Sequence, residues 1–424
     1  MSTPALVSDP ALLGVAEKVQ AGEILSADDG LALYASRDIH GIGRLADLVR
    51  RRLHGSLAYY NRNRHINYTN VCALSCKFCS FYRKRGEEGA YEMSVEQIVQ
   101  TAQKAAATGA TEVHIVGGLH PWLKFDYYLD MLRGIHSTCP QLHIKAFTAI
   151  EIIHFSRIAH LTIAETLRAL RDAGLGSLPG GGAEIFDDRV HDQAFKGKVR
   201  ADKWFEVHRT AHALGIPTNA TMLYGHLETP AERITHFLKL RDLQAESLIA
   251  MKATERQSDK ATKGTEVPPD APSLSPSGLR PSVASSLRRF VAPPASFNCM
   301  IPLSFVPDRS ELGHLPGPTG LTDLKTLAIA RLMLHNIPHI KAFWIMQGIG
   351  LSQLALHWGC DDLDGTVVWY DITKRQSLGS THQELHVTDI QRLIRESGHT
   401  PIERDTLYHP LRRDPTTDHL LPSS

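Results

Sequence analysis

The sequence of 424 residues has almost no net charge and no membrane-length apolar run. Its 46 Lys and Arg residues balance 45 Asp and Glu residues, for a formal net charge of +1. That balance gives no basic patch for nucleic acid or for a membrane surface. A bilayer span needs about 20 apolar residues in a row, and residues 1–20 lack the basic and apolar regions of a signal peptide. We therefore expect a cytoplasmic protein that binds neither nucleic acid nor membranes.

Cysteine is also scarce, with six in the chain, but three of them cluster at Cys72, Cys76 and Cys79. The pattern is C-x3-C-x2-C, which suits a reducing compartment and a metal centre better than a disulfide scaffold. Residues 65–71 carry the β-branched and aromatic side chains of a strand, so we expect the cysteines on the loop after it. Three thiolates on one short loop suit an iron–sulfur cluster with one iron left open. A zinc site, which needs a fourth ligand, and plain core packing are the alternatives.

The fold class follows from the alternation of short apolar runs with amphipathic helical stretches. This alternation favours parallel βαβ units. Eight such runs predict an α/β fold of the (β/α)8 TIM-barrel type, with the chemistry on the loops after the strands. The predicted strands lie at residues 65–71, 112–116, 142–151, 176–185, 218–223, 297–305, 339–346 and 366–369.

The composition divides the chain into five predicted segments. Helical periodicity predicts an N-terminal extension at residues 1–58. The first part of the barrel follows at 59–244, and the barrel is completed, with C-terminal helices, at 297–410. Between them, residues 245–296 are rich in Pro, Ser and Thr, which predicts a low-complexity, disordered insertion. Residues 411–424 are predicted to form a flexible tail.

The pentapeptide HIKAF occurs twice, at residues 143–147 and 339–343, in the third and seventh predicted strands. Strand alternation places Lys145 and Lys341 on equivalent faces. If these faces line the barrel, the two lysines are buried cations that need anionic partners. The alternative is that both lie at strand ends in solvent, because lysine is seldom fully buried.

Glycines and polar residues follow other predicted strands. Gly117 and Gly118 let the backbone approach a ligand closely, although a simple tight turn would also use them. His120 is a candidate acid, base or carboxylate-binding residue, with a structural histidine as the alternative. Glu184 follows three glycines and can accept hydrogen bonds from ribose hydroxyls, unless it is an exposed loop acid. Asn219 places a polar side chain in the fifth strand, which suggests a polar barrel interior.

The cysteine motif, with an aromatic residue at Phe78, resembles that of the radical S-adenosylmethionine (SAM) superfamily. The segments VGGLHP, KAFTAIEI and NATMLYGHLET resemble the aminofutalosine synthase family, over residues 45–244 and 297–408. The insertion departs from that family. The resemblance implies a [4Fe–4S] cluster on the three cysteines and SAM at its open iron. It further implies cofactor-binding roles for a set of residues outside the cysteines: Phe78, Gly117, Gly118, Glu184 and Asn219.

This resemblance also implies a reaction in the futalosine route to menaquinone. The 5′-deoxyadenosyl radical would add to the vinyl carbon of 3-[(1-carboxyvinyl)oxy]benzoate and give 6-amino-6-deoxyfutalosine, with loss of the carboxyl group and release of methionine. SAM is then consumed as a co-substrate, and a flavodoxin- or ferredoxin-type protein is the expected reductant. The two substrate carboxylates need cations or donors, for which the candidates are Arg83, His120, Lys145 and Lys341.

Two other functions remain open from the sequence. Relatives such as dehypoxanthine futalosine cyclase and the enzymes of deazaflavin synthesis share the cysteine loop, and a cyclase would release 5′-deoxyadenosine. An iron–sulfur electron carrier would need a fully ligated cluster and no nucleoside site. The glycine-rich segments argue against the carrier.

Overall fold

The computed structural model describes residues 6–263, 293–368, 372 and 384–411, with side chains except at 257–263. A short 3-10 helix, Pro10–Leu12, precedes fourteen described α-helices. They are α1 Leu13–Ala21, α2 Ala27–Ala35, α3 Ile39–His54, α4 Val95–Ala107, α5 Phe125–Thr138, α6 Ala149–Ala159, α7 Ile163–Asp172, α8 Asp188–Ala194, α9 Ala201–Ala213, α10 Pro230–Lys263, α11 Gly320–Met333, α12 Trp344–Gln347, α13 Ile349–Ala355 and α14 Val387–Glu396.

Nine strands are described, and every pairing between them is parallel. They are β1 Leu57–Asn61, β2 Asn63–Ile66, β3 Glu112–Ile115, β4 His143–Ala146, β5 Thr218–Tyr224, β6 Phe297–Ser304, β7 His339–Ile340, β8 Asp362–Gly365 and β9 Thr400–Glu403.

The strand pairings follow one another around a barrel. Strands β1 and β2 are separated by Arg62 alone and act as one first strand, which β3 and then β4 extend. Single parallel bridges at Ser177 and Leu178 connect β4 to β5. Strands β6 and β7 come next, a bridge from Lys341 reaches β8, and β8 pairs with β1. The predicted (β/α)8 barrel is confirmed, and β9 lies against the other edge of β1.

The helices pack their apolar faces on this barrel. In α3, for example, Ile42, Leu45 and Ala46 are buried while the arginines of its last turn lie toward the C-terminal end, where a positive charge is favourable. The strands and the inner helix faces share one continuous apolar core. Over the described residues, the chain has no helix with the length and apolar character of a membrane span.

Several predicted strand boundaries are wrong. The first strand is shifted toward the N-terminus and ends at Ile66, so residues 67–71 lie beyond it. The predicted strand at 142–151 stops at Ala146, because Thr148 and Glu151 form a capping box that starts α6. The seventh strand stops at Ile340. The eighth strand is Asp362–Gly365 rather than 366–369. It was missed because it contains two buried acids and so does not form an apolar run. Trp369, the last residue of the predicted strand, lies outside the described residues.

The boundaries of the predicted insertion also change. Helix α10 runs to Lys263, well past residue 245, because residues 245–263 contain neither Gly nor Pro and are rich in helix-forming Ala, Glu and Lys. The prediction of disorder is therefore wrong for 245–263. Residues 264–292 of the insertion, and the predicted tail beyond Leu411, lie outside the described residues.

Candidate active site

The cysteine loop, residues 72–83, is closed at its base by contacts between its two ends. A parallel bridge joins Val71 to Arg83, and the Cys72 N–H donates to the Arg83 carbonyl at 3.1 Å. The Lys84 ammonium donates to the carbonyls of Cys72 and Leu74, each at 3.0 Å. The loop is thus held by backbone contacts at the carboxyl end of the first strand, where barrel enzymes carry their chemistry.

Cys72, Cys76 and Cys79 line one cavity. Burial raises the pKa of the Cys76 thiol to about 12, with the Lys198 charge opposing it, and burial also raises the pKa of Cys79. Thiolates at such positions need a bound cation. Three thiolates on one loop fit a polynuclear iron–sulfur cluster with one open iron better than a structural zinc site, which takes four protein ligands.

Gly117 and Gly118 press the end of β3 against the cysteine loop. A Cβ atom on Gly118 would lie 2.3 Å from the Val71 carbonyl oxygen and 3.1 Å from the Cys72 Cβ atom. A Cβ atom on Gly117 would lie 2.7 Å from the Tyr68 ring. The next residue, Leu119, donates its N–H to the Cys72 sulfur at 3.4 Å. The two glycines therefore permit a close approach of two backbones, which a simple turn would not need.

Glu184 lines the same cavity and is paired with Lys198. The Glu184 backbone has a φ of +44°, a conformation that non-glycine residues rarely adopt. The Lys198 ammonium also lies 5.0 Å from the centre of the Phe78 ring. Lys198 was missed from the sequence, because nothing in the KGK segment around it distinguishes it from a surface lysine.

Two buried ion pairs stand at the inner end of the cavity. The Lys145 ammonium lies 2.6 Å from a Glu112 carboxylate oxygen, and the Lys341 ammonium lies 2.6 Å from one of Asp364. Each lysine is only 3% exposed, so the alternative of solvent-exposed strand ends is wrong. Burial alone would raise the pKa of Glu112, but the electrostatic interactions with Lys145, Lys341 and His114 and the hydrogen bond from Lys145 together outweigh it and hold that pKa well below its usual value.

Two histidines adjoin these ion pairs. The rings of His65 and His114 lie 4.4 Å apart, and both residues line the cavity. Burial lowers the pKa of His65 to about 4 and that of His114 well below its usual value. Both rings are therefore neutral at pH 7 and can offer either a hydrogen-bond donor or an acceptor.

Arg83, His120 and Asn219 are not among the residues that line the cavity. The Arg83 guanidinium donates to the carbonyls of Ser80 and Tyr82 at 3.1 and 2.8 Å. These contacts keep Arg83 at the base of the loop. These three residues therefore lie outside the lining of the cavity that holds the other predicted site residues.

The contacts of His120 explain its position. Its Nδ1 atom accepts from the backbone N–H groups of Trp122 and Leu123, and its Nε2 atom lies 2.8 Å from a Glu92 carboxylate oxygen. The ring thus stabilises the turn that follows Gly118. For His120 the structural alternative is the better interpretation.

Glu151 is another residue that lines the cavity and was not predicted as a site residue. Its carboxylate accepts from the Tyr68 hydroxyl at 2.8 Å, from the Gly117 N–H at 3.1 Å and from Thr148. Burial raises its pKa to about 7, although all of these donors oppose the shift. The T-x-x-E capping pattern was its signal in the sequence. Glu151 links the first strand, the glycine turn and α6.

Comparisons with known proteins agree with this arrangement. Residues 66–240 match the profile of the Radical SAM superfamily, and residues 295–417 match that of the CofH/MqnC C-terminal region. The chain is 41% identical to the aminodeoxyfutalosine synthase of Thermus thermophilus, over 96% of this chain and 97% of that one. It is 39% identical to the enzyme of the same name from Streptomyces coelicolor, over 93% of each chain.

The chain is also similar to an enzyme named for a different activity and to a solved structure. A 5-amino-6-(D-ribitylamino)uracil–L-tyrosine 4-hydroxyphenyl transferase of Methanopyrus kandleri is 34% identical over 91% of this chain and 94% of its own. The crystal structure of methylornithine synthase has a TM-score of 0.63 at 16% identity, over 91% of this chain and 96% of that one, and thus shows the fold alone. The protein has the cysteine loop on a barrel of this fold, and it has relatives at about 40% identity over nearly the whole chain. These two findings identify it as a radical SAM enzyme that uses a [4Fe–4S] cluster and SAM. The chain belongs to the aminodeoxyfutalosine synthase family of that superfamily.

Proposed function

We propose that this enzyme joins the 5′-deoxyadenosyl group of SAM to 3-[(1-carboxyvinyl)oxy]benzoate. The products are 6-amino-6-deoxyfutalosine and methionine, and the vinyl carboxyl group is lost. The observation that carries the proposal is one cavity that is lined both by the three cysteines and by two buried lysines. The names of two relatives at 41% and 39% identity point to the same reaction.

Cys72, Cys76 and Cys79 would hold the cluster, which when bound and reduced supplies the electron that splits SAM into methionine and a carbon radical. Phe78, Gly117, Gly118 and Glu184 are the proposed cofactor residues. Glu184 is fixed by Lys198, so one carboxylate oxygen stays oriented without reorganisation. Its acceptor lone pairs suit the two hydroxyls of a ribose.

Lys145 and Lys341 are the proposed partners of the substrate carboxylates. Each already has one protein carboxylate, so a substrate carboxylate would share the ammonium rather than replace its partner. An ammonium offers three donors, which permits this sharing. His65 and His114, both neutral, can donate further hydrogen bonds.

Apolar side chains also line this cavity. They keep water and polar groups away from the reacting carbon, as a primary radical requires. They would also pack against the aromatic ring of the substrate. The apolar lining includes Leu223, Ile301, Leu303 and Phe343.

We also propose that a flavodoxin- or ferredoxin-type protein reduces the cluster and that the enzyme works in the cytoplasm. Free thiols at all six cysteines are compatible with a reducing compartment. The proposal of a protein reductant and of a cytoplasmic enzyme rests on the family and on the free thiols. The reductant is tested by replacing dithionite with purified flavodoxin or ferredoxin and measuring reduction of the cluster.

Anaerobic turnover tests the reaction. The reconstituted enzyme is given dithionite, SAM and the enol ether, and the products are identified by mass spectrometry. An adduct of deoxyadenosine and substrate that lacks one carboxyl group is the expected product. The Cys76→Ala variant is the matched control and should give neither adduct nor methionine.

Other outcomes would contradict the proposal and indicate a different function. Free 5′-deoxyadenosine, formed only with a futalosine derivative, would indicate a cyclase. Coupling of tyrosine with 5-amino-6-(D-ribitylamino)uracil would indicate the transferase activity of the other relatives. If SAM stays intact under all conditions, the electron-carrier function would be the better one.

A further inference from the structure

Three metal-ligating side chains meet at the end of the barrel opposite the cavity. Asp47 lies on α3, His357 follows α13, and His399 immediately precedes β9. Thr400 pairs with Leu57 at the start of the first strand, so the group lies at the amino ends of the strands. One ligand atom from each residue lies within 4.8 Å of the other two.

The tautomer of His399 is fixed by its neighbour. The Ser397 hydroxyl donates its single hydrogen to the Ile394 carbonyl at 2.7 Å. The contact of 3.0 Å between Ser397 Oγ and His399 Nδ1 must therefore have the histidine as the donor. It follows that Nε2 carries a lone pair. This is the second-sphere arrangement that orients histidine ligands of metals.

The lone pair of His399 has no partner. His399 is 5% exposed, and its Nε2 atom has no hydrogen-bond partner among the described residues. Asp47 is similar: its Oδ2 atom accepts from Arg51 at 2.6 Å, whereas its Oδ1 atom is buried and has no described partner. Each of these two acceptors has lost its hydrogen bonds to water without gaining a described donor, which is unfavourable. A cation between them would satisfy both.

We propose that Asp47, His357 and His399 bind one zinc ion. Two imidazole nitrogens and one carboxylate oxygen are a common zinc ligand set, with bonds of about 2.0–2.2 Å. Such bonds require only a small approach of the three atoms, and His357 is exposed, with its ring centre 4.9 Å from that of His399. The fourth position would take water. The ion would join α3, the residues before β8 and the start of β9, and this inference does not depend on the proposed reaction.

Two arginines adjoin the group, and both are engaged with protein acceptors. Arg51 is already paired with Asp47. Arg50 donates to the carbonyls of Gly55 at 2.7 Å and of Leu57.

The test uses the reconstituted enzyme, in which iron occupies the cysteines. The protein is incubated with zinc chloride, gel-filtered and analysed for zinc and iron. We expect one zinc per chain in the wild type and in the control His136→Ala, which removes an exposed histidine elsewhere. We expect none in His357→Ala and Asp47→Ala at the same zinc concentration. Ser397→Ala should weaken zinc affinity about 10–100-fold, as loss of a second-sphere partner does.

Iron content and turnover serve as controls for folding and should stay at wild-type values in the Asp47 and His357 variants. Equal zinc in the wild type and in both ligand variants would overturn the proposal, because zinc would then be bound elsewhere. Loss of zinc in His136→Ala, or no zinc in the wild type, would overturn it as well. Failure of the proposed reaction would leave the zinc and iron outcomes unchanged, and iron content alone would then serve as the folding control.

Discussion

At the scale of single residues, the inner end of the cavity is defined by two lysines whose acidic partners come from neighbouring strands. Lys145 at β4 meets Glu112 of β3, and Lys341, after β7, meets Asp364 of β8. Each pair is fully buried, so neither member can lose its partner without leaving an uncompensated charge. The stability of the barrel and the charge of the proposed substrate site therefore depend on the same atoms.

Replacing Lys341 with Met should lower the free energy of unfolding by about 3–5 kcal/mol, because Asp364 would be left buried and unpaired. Urea denaturation of the anaerobic protein measures this change. The double variant Lys341→Met with Asp364→Asn should recover most of the lost stability, since both charges are then gone. It should still lack turnover if Lys341 holds a substrate carboxylate. A single variant as stable as the wild type would contradict the buried ion pair.

The sequence predicted the lysines of this arrangement but not their acids. The repeated HIKAF segment placed Lys145 and Lys341 in strands, whereas Glu112 and Asp364 lie far away along the chain and gave no comparable signal. Lys198 was missed for a similar reason, since its pairing with Glu184 depends on the loop conformation. Charged partners that meet only through tertiary structure cannot be found from local patterns.

At the scale of elements, the contact between the end of β3 and the cysteine loop sets the geometry of the site. The structure leaves no room for a side chain at Gly118. Substitution Gly118→Ala should push the loop away from β3, at a cost of about 1–3 kcal/mol, typical of overpacking. We expect reduced iron and sulfide content after reconstitution and a loss of SAM cleavage.

Gly350→Ala is the matched control for this prediction. A Cβ atom on Gly350, in α13, would have nothing within 4 Å, and alanine is favoured over glycine in helices. This variant should keep full iron content. If Gly118→Ala reconstitutes as well as Gly350→Ala, the close contact is not needed to position the cluster.

Element boundaries were harder to predict than the element order. The barrel and the position of the cysteine loop followed from periodicity, because buried strands and amphipathic helices leave local patterns. The ends of the elements did not follow from periodicity, because Thr148 caps helix α6 in the middle of the apolar run at residues 142–151. Strand β8 was misplaced because Asp362 and Asp364 are buried only through their pairing with Arg404 and Lys341. A barrel interior that carries ion pairs breaks the usual apolar rule for strands.

At the scale of the whole molecule, the number of buried histidines makes stability depend on pH. Burial lowers the pKa of His54 and His65 to about 4, and of His212 and His236 to about 3, from 6.5. Below pH 6.5 the unfolded chain binds a proton on each of these residues and the folded chain does not. Each therefore contributes stability that is fully present above pH 6.5 and is lost as the pH falls toward 4 or 3.

We expect the free energy of unfolding to fall by about 1.4 kcal/mol per pH unit for each such histidine below pH 6.5. Urea titrations at pH 7.5, 6.5 and 5.5 measure the slope. His236 donates to the Thr221 carbonyl and stacks on Phe186. The variant His236→Gln should have a lower free energy of unfolding at every pH. Its free energy of unfolding should also depend less steeply on pH, by the contribution of one histidine. Parallel curves for the two proteins would contradict the pKa assigned to His236.

The position of β1 between β8 and β9 has a consequence for how the protein is made. The two neighbours of Tyr59 in the sheet, Asp362 and Ile402, are supplied by the last quarter of the chain. During synthesis the first strand therefore emerges from the ribosome long before either neighbour exists. Contacts of such long sequence separation form slowly, and an open strand edge is prone to mispairing. The cysteine loop follows this first strand in the chain, so the barrel beneath the loop can close only after the C-terminal residues have been synthesised.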